Sequence, residues 1–210
     1  GQKGLSEPSK YIGRKSRPHD ERYCRRVIFQ IVMYTIENEF LKVGVLQKGA
    51  ELYSLVDKRN GFQWMWQADA RYWAKSSPVL FPIVGALKED KYSYGGHIYN
   101  LSRHGFARDH KFEIIEHTTS KLVLSFTANE ETKQCYPFDF KLIIAYHLDK
   151  VELLISYTVQ NWGNNAMYFS LGGHPAFNLP HDRTIAGSSY IEFPFDNRLN
   201  RYYLNNNLLS

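Results

Sequence analysis

Two short stretches of the chain combine histidine with glycine, and such residues can carry out proton transfer. The first is SRHGFAR, residues 102–108, and the second is GGHPAFN, residues 172–178. A histidine titrates near neutrality and can therefore act as a general acid or base. A neighbouring glycine leaves space for a close approach of backbone or ligand. These two stretches are therefore the first candidates for a catalytic site.

In the second stretch, His174 lies between Gly172-Gly173 and Pro175. Pro175 restricts the backbone and removes one donor, and Asn178 adds a polar side chain near the bend. Core packing explains this setting poorly, so we expect His174 to be a general acid or base, with Asn178 binding substrate. A histidine at a strand end that bonds to the backbone is the open alternative.

In the first stretch, His104 is followed by Gly105, Phe106 and Arg108. Phe106 could provide an apolar contact for a ligand, and Arg108 a forked donor for a hydroxyl or phosphate oxygen. If the segment is extended, the side chains of His104, Phe106 and Arg108 share one face. A solvated basic turn is the open alternative here.

A third unusual stretch, residues 76–92, contains an apolar run between Pro78 and Pro82, followed by Gly85. Pro82 argues against a central strand because proline lacks the N–H that a sheet ladder needs. We therefore expect residues 79–84 to cross the core as a buried segment.

A metal site is not expected from the histidine spacing. Four histidines recur at intervals of seven, six and seven residues, namely His97, His104, His110 and His117. Gly95-Gly96 and Gly105 interrupt any helix that could align them, and the chain has no His-x-x-x-His or Cys-x-x-Cys pattern.

The elements that must position these residues are predicted to be short strands. Alternating apolar residues bounded by turn residues mark the segments 41–46, 50–57, 62–66, 91–94, 97–101, 111–117, 121–127, 138–149, 151–161, 166–173 and 190–193. No long amphipathic helix is expected. Closely spaced strands of this kind predict an all-β, mostly antiparallel sandwich or barrel.

Charge divides the chain into two parts. Residues 1–32 carry eight Lys/Arg and three Asp/Glu, which is the entire net charge of +5. We predict a disordered basic extension over 1–32 and a folded domain over 33–210. The domain is neutral, so no nucleic-acid partner is expected. Only Cys24 and Cys135 are present and no apolar run suits a membrane helix, which favours a reduced cytoplasmic protein without membrane contact.

Three segments together, PVLFPIVGALKEDKY (78–92), HGFARD (104–109) and GGHPAFNLP (172–180), resemble the aldose 1-epimerase (galactose mutarotase-like) superfamily, most closely its LacX-like branch. The resemblance extends from near Met33 to about Phe195. It implies a large antiparallel β-sandwich, the galactose mutarotase-like supersandwich, with a sugar cleft. The activity it implies is an isomerase that interconverts the α and β anomers of a hexose or hexose phosphate.

The resemblance also implies roles for individual residues. His174 matches the histidine that protonates the ring oxygen, and His104 matches the one that holds the sugar near the ring oxygen and the C1 hydroxyl. Arg108 matches the arginine that helps to hold the anion in phosphosugar relatives. No metal or organic cofactor is implied, and the partner is a small-molecule sugar or sugar phosphate.

Two departures from the family pattern bear on function. Ala86 stands where relatives often carry arginine, and the family's general-base glutamate lies on a later strand than this chain reaches. Glu192 resembles a position upstream of that base and is not assigned to it. We therefore expect a domain that is incomplete at its C-terminus and lacks its base. A carbohydrate-binding or regulatory module without chemistry, and a structural β-domain without ligand, remain alternatives; the sugar and the oligomeric state are left open.

Overall fold

The computed structural model describes residues 32–179, 190, 192–194, 203–205 and 208–209 of the chain. All of them lie in the second of the chain's two units, residues 31–210. The basic extension predicted for 1–32 falls outside the described residues, apart from Val32. The predicted domain is therefore described continuously from its first residue to Leu179.

The described residues form strands and very little helix. In chain order the strands are β1 (Met33–Glu37), β2 (Leu41–Leu46), β3 (Leu52–Asp57), β4 (Phe62–Gln63), β5 (Val79–Leu80), β6 (Lys91–Tyr94), β7 (His97–Asn100), β8 (Glu113–His117), β9 (Lys121–Thr127), β10 (Phe140–Asp149), β11 (Glu152–Asn161), β12 (Gly172–Gly173), β13 (Leu204–Asn205) and β14 (Leu208–Leu209). A short helix, α1 (Glu130–Cys135), and two 3₁₀ turns, Lys88–Asp90 and Ala107–Asp109, interrupt them. The described part of the chain contains no helix that could span a membrane.

Two four-stranded antiparallel sheets build the domain, in the orders β1-β2-β3-β4 and β11-β10-β9-β8. Three two-stranded ribbons, β5-β12, β6-β7 and β13-β14, accompany them. Every pairing between these strands is antiparallel. The prediction of an all-β, antiparallel sandwich is confirmed.

Strand β10, one of two ten-residue strands, shows why the sequence forms a sheet. In β10 (FKLIIAYHLD) every second residue from Phe140 to Leu148 is buried, whereas the intervening side chains are partly or fully exposed. Successive side chains of a strand point to opposite faces, so this alternation buries one face of the sheet. Val43 of β2 and Ile144 of β10 belong to the same buried cluster, which places the core between the two sheets.

Aromatic rings fill the part of the core beneath the predicted site. Phe81 is fully buried, and its ring centroid lies 5.1 Å from that of Phe140, 6.2 Å from Tyr136 and 6.3 Å from Phe106. The planes meet at steep angles, an arrangement that aromatic pairs favour. These four rings therefore stabilise the core by packing against one another.

The hairpin predicted at 91–101 is present as β6 and β7. Gly95 and Gly96, which connect them, have φ values of +57° and +80°. A two-residue turn of this kind needs positive φ at both positions, and glycine adopts that conformation without a steric penalty.

Three strand predictions are wrong in extent. The segment 166–173 forms a strand only at β12, because its partner β5 ends before Pro82, which has no N–H for a longer ladder. The segment 62–66 pairs with β3 only at β4, and Met65 then bridges to Phe177. Tyr190, Glu192 and Phe193 are not in a strand.

Candidate active site

The segment from Pro78 to Gly85 connects both histidine-bearing stretches. Its strand β5 pairs with β12, which immediately precedes His174, and the carbonyl of Pro78 accepts the His174 N–H at 3.2 Å. At the other end, the carbonyl of Phe81 accepts the N–H groups of Phe106 and Ala107 at 3.0 and 3.1 Å. The chain therefore brings the two stretches, almost seventy residues apart in sequence, to the same short segment.

Gly105 permits the contact between this segment and the first stretch. It has φ +68°, and a Cβ atom there would overlap the carbonyl group of Phe81. The adjacent His104 also has a positive φ, +69°. The stretch is therefore not extended: it bends sharply and continues into the 3₁₀ turn Ala107–Asp109. The condition under which His104, Phe106 and Arg108 would share one face, an extended segment, is therefore not met.

His104 is held at both its backbone and its ring. Its N–H donates to the carbonyl of Gly85 at 2.8 Å, and its Nδ1 accepts the Gly85 N–H at 3.0 Å. Because Nδ1 accepts, the neutral ring carries its proton on Nε2, which is then a donor. Burial lowers the pKa of His104 from its ordinary value, and the positive charges of Arg108, Arg103 and His174 lower it further. The site therefore favours a neutral His104 that donates through Nε2.

His174 is exposed and is held in a different way from His104. Its ring lies against Trp73, with centroids 4.8 Å apart and planes inclined by 41°. Its backbone is fixed to Pro78, as described above. His174 is also close enough to His104 to affect that residue's pKa. The structure thus brings together the two histidines that the sequence singles out.

Arg108 lies beside His104 in a small cluster of charged groups. Its guanidinium donates to the carbonyl of Arg103 at 3.0 Å, and its Nε lies 3.6 Å from a carboxylate oxygen of Asp109. The same carboxylate is 3.9 Å from Lys75 Nζ and 3.8 Å from Lys48 Nζ. Lys75 Nζ also lies 4.0 Å from a carboxylate oxygen of Glu51. The three cations outnumber these two acids, so the surroundings of Arg108 favour an anion or a hydroxyl-rich ligand.

Phe106 and Asn178 occupy supporting positions. The Phe106 ring packs against Phe81, Phe126 and other core rings. The Asn178 amide donates to the carbonyls of Gln63 and Met65, both at 2.8 Å. Their observed contacts are therefore with the protein itself: Phe106 anchors the first stretch in the core, and Asn178 anchors the second to the loop after β4.

Three residues near the site were not identified from the sequence. They are Trp73, against His174; Glu51, whose buried carboxylate accepts the N–H groups of Ser76 and Ser77; and Tyr157, whose hydroxyl lies near Gly173. Each contact joins residues distant in sequence, and no local pattern marks it. The position of Trp73 shortly before the proline-bracketed run was the one available signal.

Metal ligation finds no support among these residues. In the described part of the chain, no group of three or more His, Cys, Asp or Glu side chains is arranged to hold a metal ion. The candidate site therefore consists of two imidazoles, a guanidinium and an aromatic wall, which can donate and accept protons and bind oxygen-rich ligands.

Solved structures that this chain resembles include galactose mutarotase-like proteins. A galactose mutarotase related enzyme from Lactobacillus acidophilus superposes with a TM-score of 0.71 at 43% identity, over 72% of this chain and 51% of that one. A galactose mutarotase-like protein from Lactobacillus casei gives a TM-score of 0.70 at 38% identity, over 73% and 52% of the two chains.

The sequence itself assigns the family. Residues 32–200 match the model of the aldose 1-epimerase family, and the chain belongs to that family. Protein LacX of Lactococcus lactis subsp. lactis, in its plasmid and chromosomal forms, is 31% identical over 167 residues, which cover 77% of this chain and 54% of the relative. The chain spans about half the length of the relatives it matches. The resemblance to the aldose 1-epimerase superfamily and its LacX-like branch is confirmed.

Proposed function

We propose that this chain supplies the histidine side of an isomerase site that interconverts the α and β anomers of a hexose or hexose phosphate. The observation that carries the proposal is the docking of His104 and His174 on the single segment from Pro78 to Gly85. Two histidines anchored to one short segment, one of them with its ring in a donor tautomer, suit a reaction that consists of coupled proton transfers.

Anomer exchange requires ring opening and closure. A proton leaves the C1 hydroxyl while another is delivered to the ring oxygen, the C1–C2 bond rotates, and closure yields the other anomer. In the proposed roles His174 delivers the proton to the ring oxygen, and the Nε2–H of His104 donates a hydrogen bond to an oxygen of the sugar. Each positioned acid or base contributes roughly 10²–10⁴-fold to such a step.

Arg108 is proposed to bind substrate oxygens beside His104. One of its terminal nitrogens is committed to the carbonyl of Arg103, which fixes the plane of the guanidinium. A planar cation so oriented can bind a hydroxyl pair or a phosphate. Sugars and sugar phosphates therefore both remain candidate substrates. The proposed chemistry needs no cofactor, because both of its steps are proton transfers.

No described carboxylate is proposed as the general base. Glu51 lies close to the segment that carries the site, but it is 4% exposed and its Oε1 accepts the N–H groups of Ser76 and Ser77 at 2.6 and 3.0 Å. A carboxylate with these bonds holds the loop in place and is poorly placed to reach a sugar. The family resemblance points to a glutamate on a later strand.

A carbohydrate-binding module on the same fold is the second candidate. The observation that favours it is Ala86, next to the Gly85 that holds His104, where a relative's arginine would add a donor for the sugar. A site that lacks this donor could bind a sugar without converting it into its other anomer.

The test is anomer exchange followed by NMR on the purified full-length protein with glucose, galactose and glucose 6-phosphate. His174→Ala removes the proposed acid, and His147→Gln, in an exposed position of β10, is the matched control. Exchange faster than in buffer, lost in His174→Ala and kept in His147→Gln, supports the isomerase. Broadening of the sugar lines without exchange would support a binding module instead of an isomerase. The absence of both exchange and broadening would rule out both functions.

A further inference from the structure

The imidazole of His174 has a different kind of support from that of His104. Within the described residues, no hydrogen bond reaches the His174 ring, whereas Nδ1 of His104 is bonded to Gly85. The ring contact recorded for His174 is with Trp73, at 4.8 Å between centroids. A proton donor must point at its acceptor within hydrogen-bond reach, so an exposed imidazole needs some constraint on its orientation.

The segments that carry Trp73 and His174 are connected by hydrogen bonds from a third residue, Trp66. The indole N–H of Trp66 donates to the carbonyl of Trp73 at 2.9 Å, and the backbone N–H of Trp66 donates to the carbonyl of Ala176 at 3.0 Å. Ala176 is two residues beyond His174. One residue, Trp66, therefore ties the backbone of the loop that carries Trp73 to the backbone of the segment that carries His174, next to the contact between the two rings.

We propose that Trp73 is a positioning residue that holds the His174 ring in the orientation needed for proton transfer, an inference that rests on the role proposed for His174. Packing against an indole removes rotational freedom from the imidazole before substrate arrives. Catalysis is sensitive to such alignment, since a displacement of about 1 Å can cost about 100-fold in rate. The contact with Trp73 thus orients the ring of His174, as the hydrogen bond from Gly85 orients the ring of His104.

The geometry favours positioning over sugar stacking. Aromatic side chains in sugar sites present an open face to the pyranose ring, whereas Trp73 directs its ring contact at His174 and is partly buried. The indole surface covered by His174 is closed to a sugar. Loss of Trp73 should therefore alter turnover more than substrate affinity.

Three variants test the proposal. Trp73→Leu removes the aromatic face, Trp73→Phe keeps an aromatic face in a smaller ring, and Trp162→Leu removes an exposed indole that packs beneath Lys141, as the matched control. Two readouts are taken on each. The first is the ¹H–¹³C signal of the His174 ring in protein with ¹³C-labelled histidine, assigned by its disappearance in His174→Gln. The second is kcat and KM of the full-length protein for anomer exchange.

We expect Trp73→Leu to shift and broaden the His174 signal, because the indole ring current and the constraint are both lost, and to lower kcat about 10- to 100-fold with little change in KM. Trp73→Phe should retain most of both, and Trp162→Leu should match the wild type. An unchanged His174 signal in Trp73→Leu, or a rise in KM at constant kcat, would overturn the proposal. If the wild type shows no exchange, the proposed function fails, and the His174 signal alone decides whether Trp73 orients the ring.

Discussion

His104 and Gly85 are joined by two hydrogen bonds, one through the ring of His104 and one through its backbone. Gly85 N–H donates to Nδ1 of His104 at 3.0 Å, and His104 N–H donates to the carbonyl of Gly85 at 2.8 Å. Both residues have positive φ, which marks a bend in the backbone at each of them. The two hydrogen bonds hold these bends together. The same contact that closes the loop therefore also selects the tautomer of the histidine.

His104→Asn should separate the structural role of this histidine from its chemical role. Asparagine tolerates positive φ better than most residues, and its Oδ1 can accept the Gly85 N–H in place of Nδ1. We expect a change below about 1 kcal/mol in the free energy of unfolding. Exchange should fall about 10²–10³-fold, because the Nε2–H donor is lost.

Urea unfolding and anomer exchange measure the two effects, with His104→Leu as the comparison. Leucine lacks the acceptor and is strained at positive φ, so we expect it to cost roughly 2–4 kcal/mol. Wild-type exchange in His104→Asn would contradict a donor role for Nε2.

Stability should fall on acidification through the titration of His104. Its pKa is lowered in the folded protein by burial and by Arg108, Arg103 and His174, whereas the unfolded chain retains a pKa near 6.5. Between the folded pKa and 6.5 the unfolded state binds more protons, so stability rises with pH across this window and is lost as pH falls through it. Urea midpoints between about pH 5 and pH 8 measure the slope.

His104→Asn supplies the control, because it removes this titrating side chain and leaves every other ionisable residue of the sequence in place. The wild type should lose more stability than His104→Asn as the pH falls below about 6.5. Parallel curves would mean that His104 has the same pKa in the folded and unfolded states.

Gly105→Ala should be among the most destabilising single changes in the domain. The new Cβ would overlap the Phe81 carbonyl, and φ is +68°. Gly96→Ala is the matched control, since its φ is +80° and nothing lies within 4 Å of the added atom. We expect about 1–2 kcal/mol from backbone strain at Gly96, and roughly 2–5 kcal/mol at Gly105, where strain and overlap add. Equal losses in thermal or urea unfolding would show that Phe81 moves aside without cost.

The sequence predicts the elements of this fold better than it predicts its long-range contacts. Alternating apolar residues locate β10 and β11, because one face of each strand is more buried than the other, whereas the apolar run of β9 is buried on both faces. The hairpin of β6 and β7 follows from Gly95-Gly96, since few other residues adopt the turn. Local patterns of this kind carry their own physical cause, so they can be recognised without the structure.

The side-chain roles in the site are less accessible to sequence. Phe106 and Asn178 are residue types that suit a sugar site, yet one packs into the aromatic core and the other bonds to backbone carbonyls more than a hundred residues away. The contact of Trp73 with His174 also crosses about a hundred residues. Such pairings depend on how the segments meet in three dimensions, and neither spacing nor composition determines that.

Glu51 should stabilise the loop before β5. Its Oε1 accepts the N–H groups of Ser76 and Ser77, and Ser76 is fully buried. Glu51→Ala leaves both donors without this partner, so we expect a loss of roughly 2–5 kcal/mol in the free energy of unfolding. Glu51→Gln keeps an acceptor and should cost about 1 kcal/mol.

As a surface control, Glu116→Ala breaks an exposed pair with Lys121 and should cost less than about 1 kcal/mol. A Glu51→Ala protein as stable as this control would show that water replaces the carboxylate.

Asn178 should act on His174 through the backbone. Its amide donates to the carbonyls of Gln63 and Met65, and the residue lies four positions beyond His174. Asn178→Ala removes both donors and should cost roughly 1–3 kcal/mol. Asn178→Asp places a carboxylate, which can only accept hydrogen bonds, against two carbonyl oxygens. We therefore expect a larger loss in the free energy of unfolding than in Asn178→Ala.

The kinetic signature distinguishes this anchoring role from direct substrate binding. If Asn178 positions the segment that carries His174, Asn178→Ala lowers kcat with little effect on KM, since the alignment of the acid is disturbed. If Asn178 instead bound the sugar, as its residue type suggested, KM would rise. Asn164→Ala, in the exposed turn after β11, is the matched control and should leave both constants unchanged. The division between kcat and KM therefore decides which role the asparagine has.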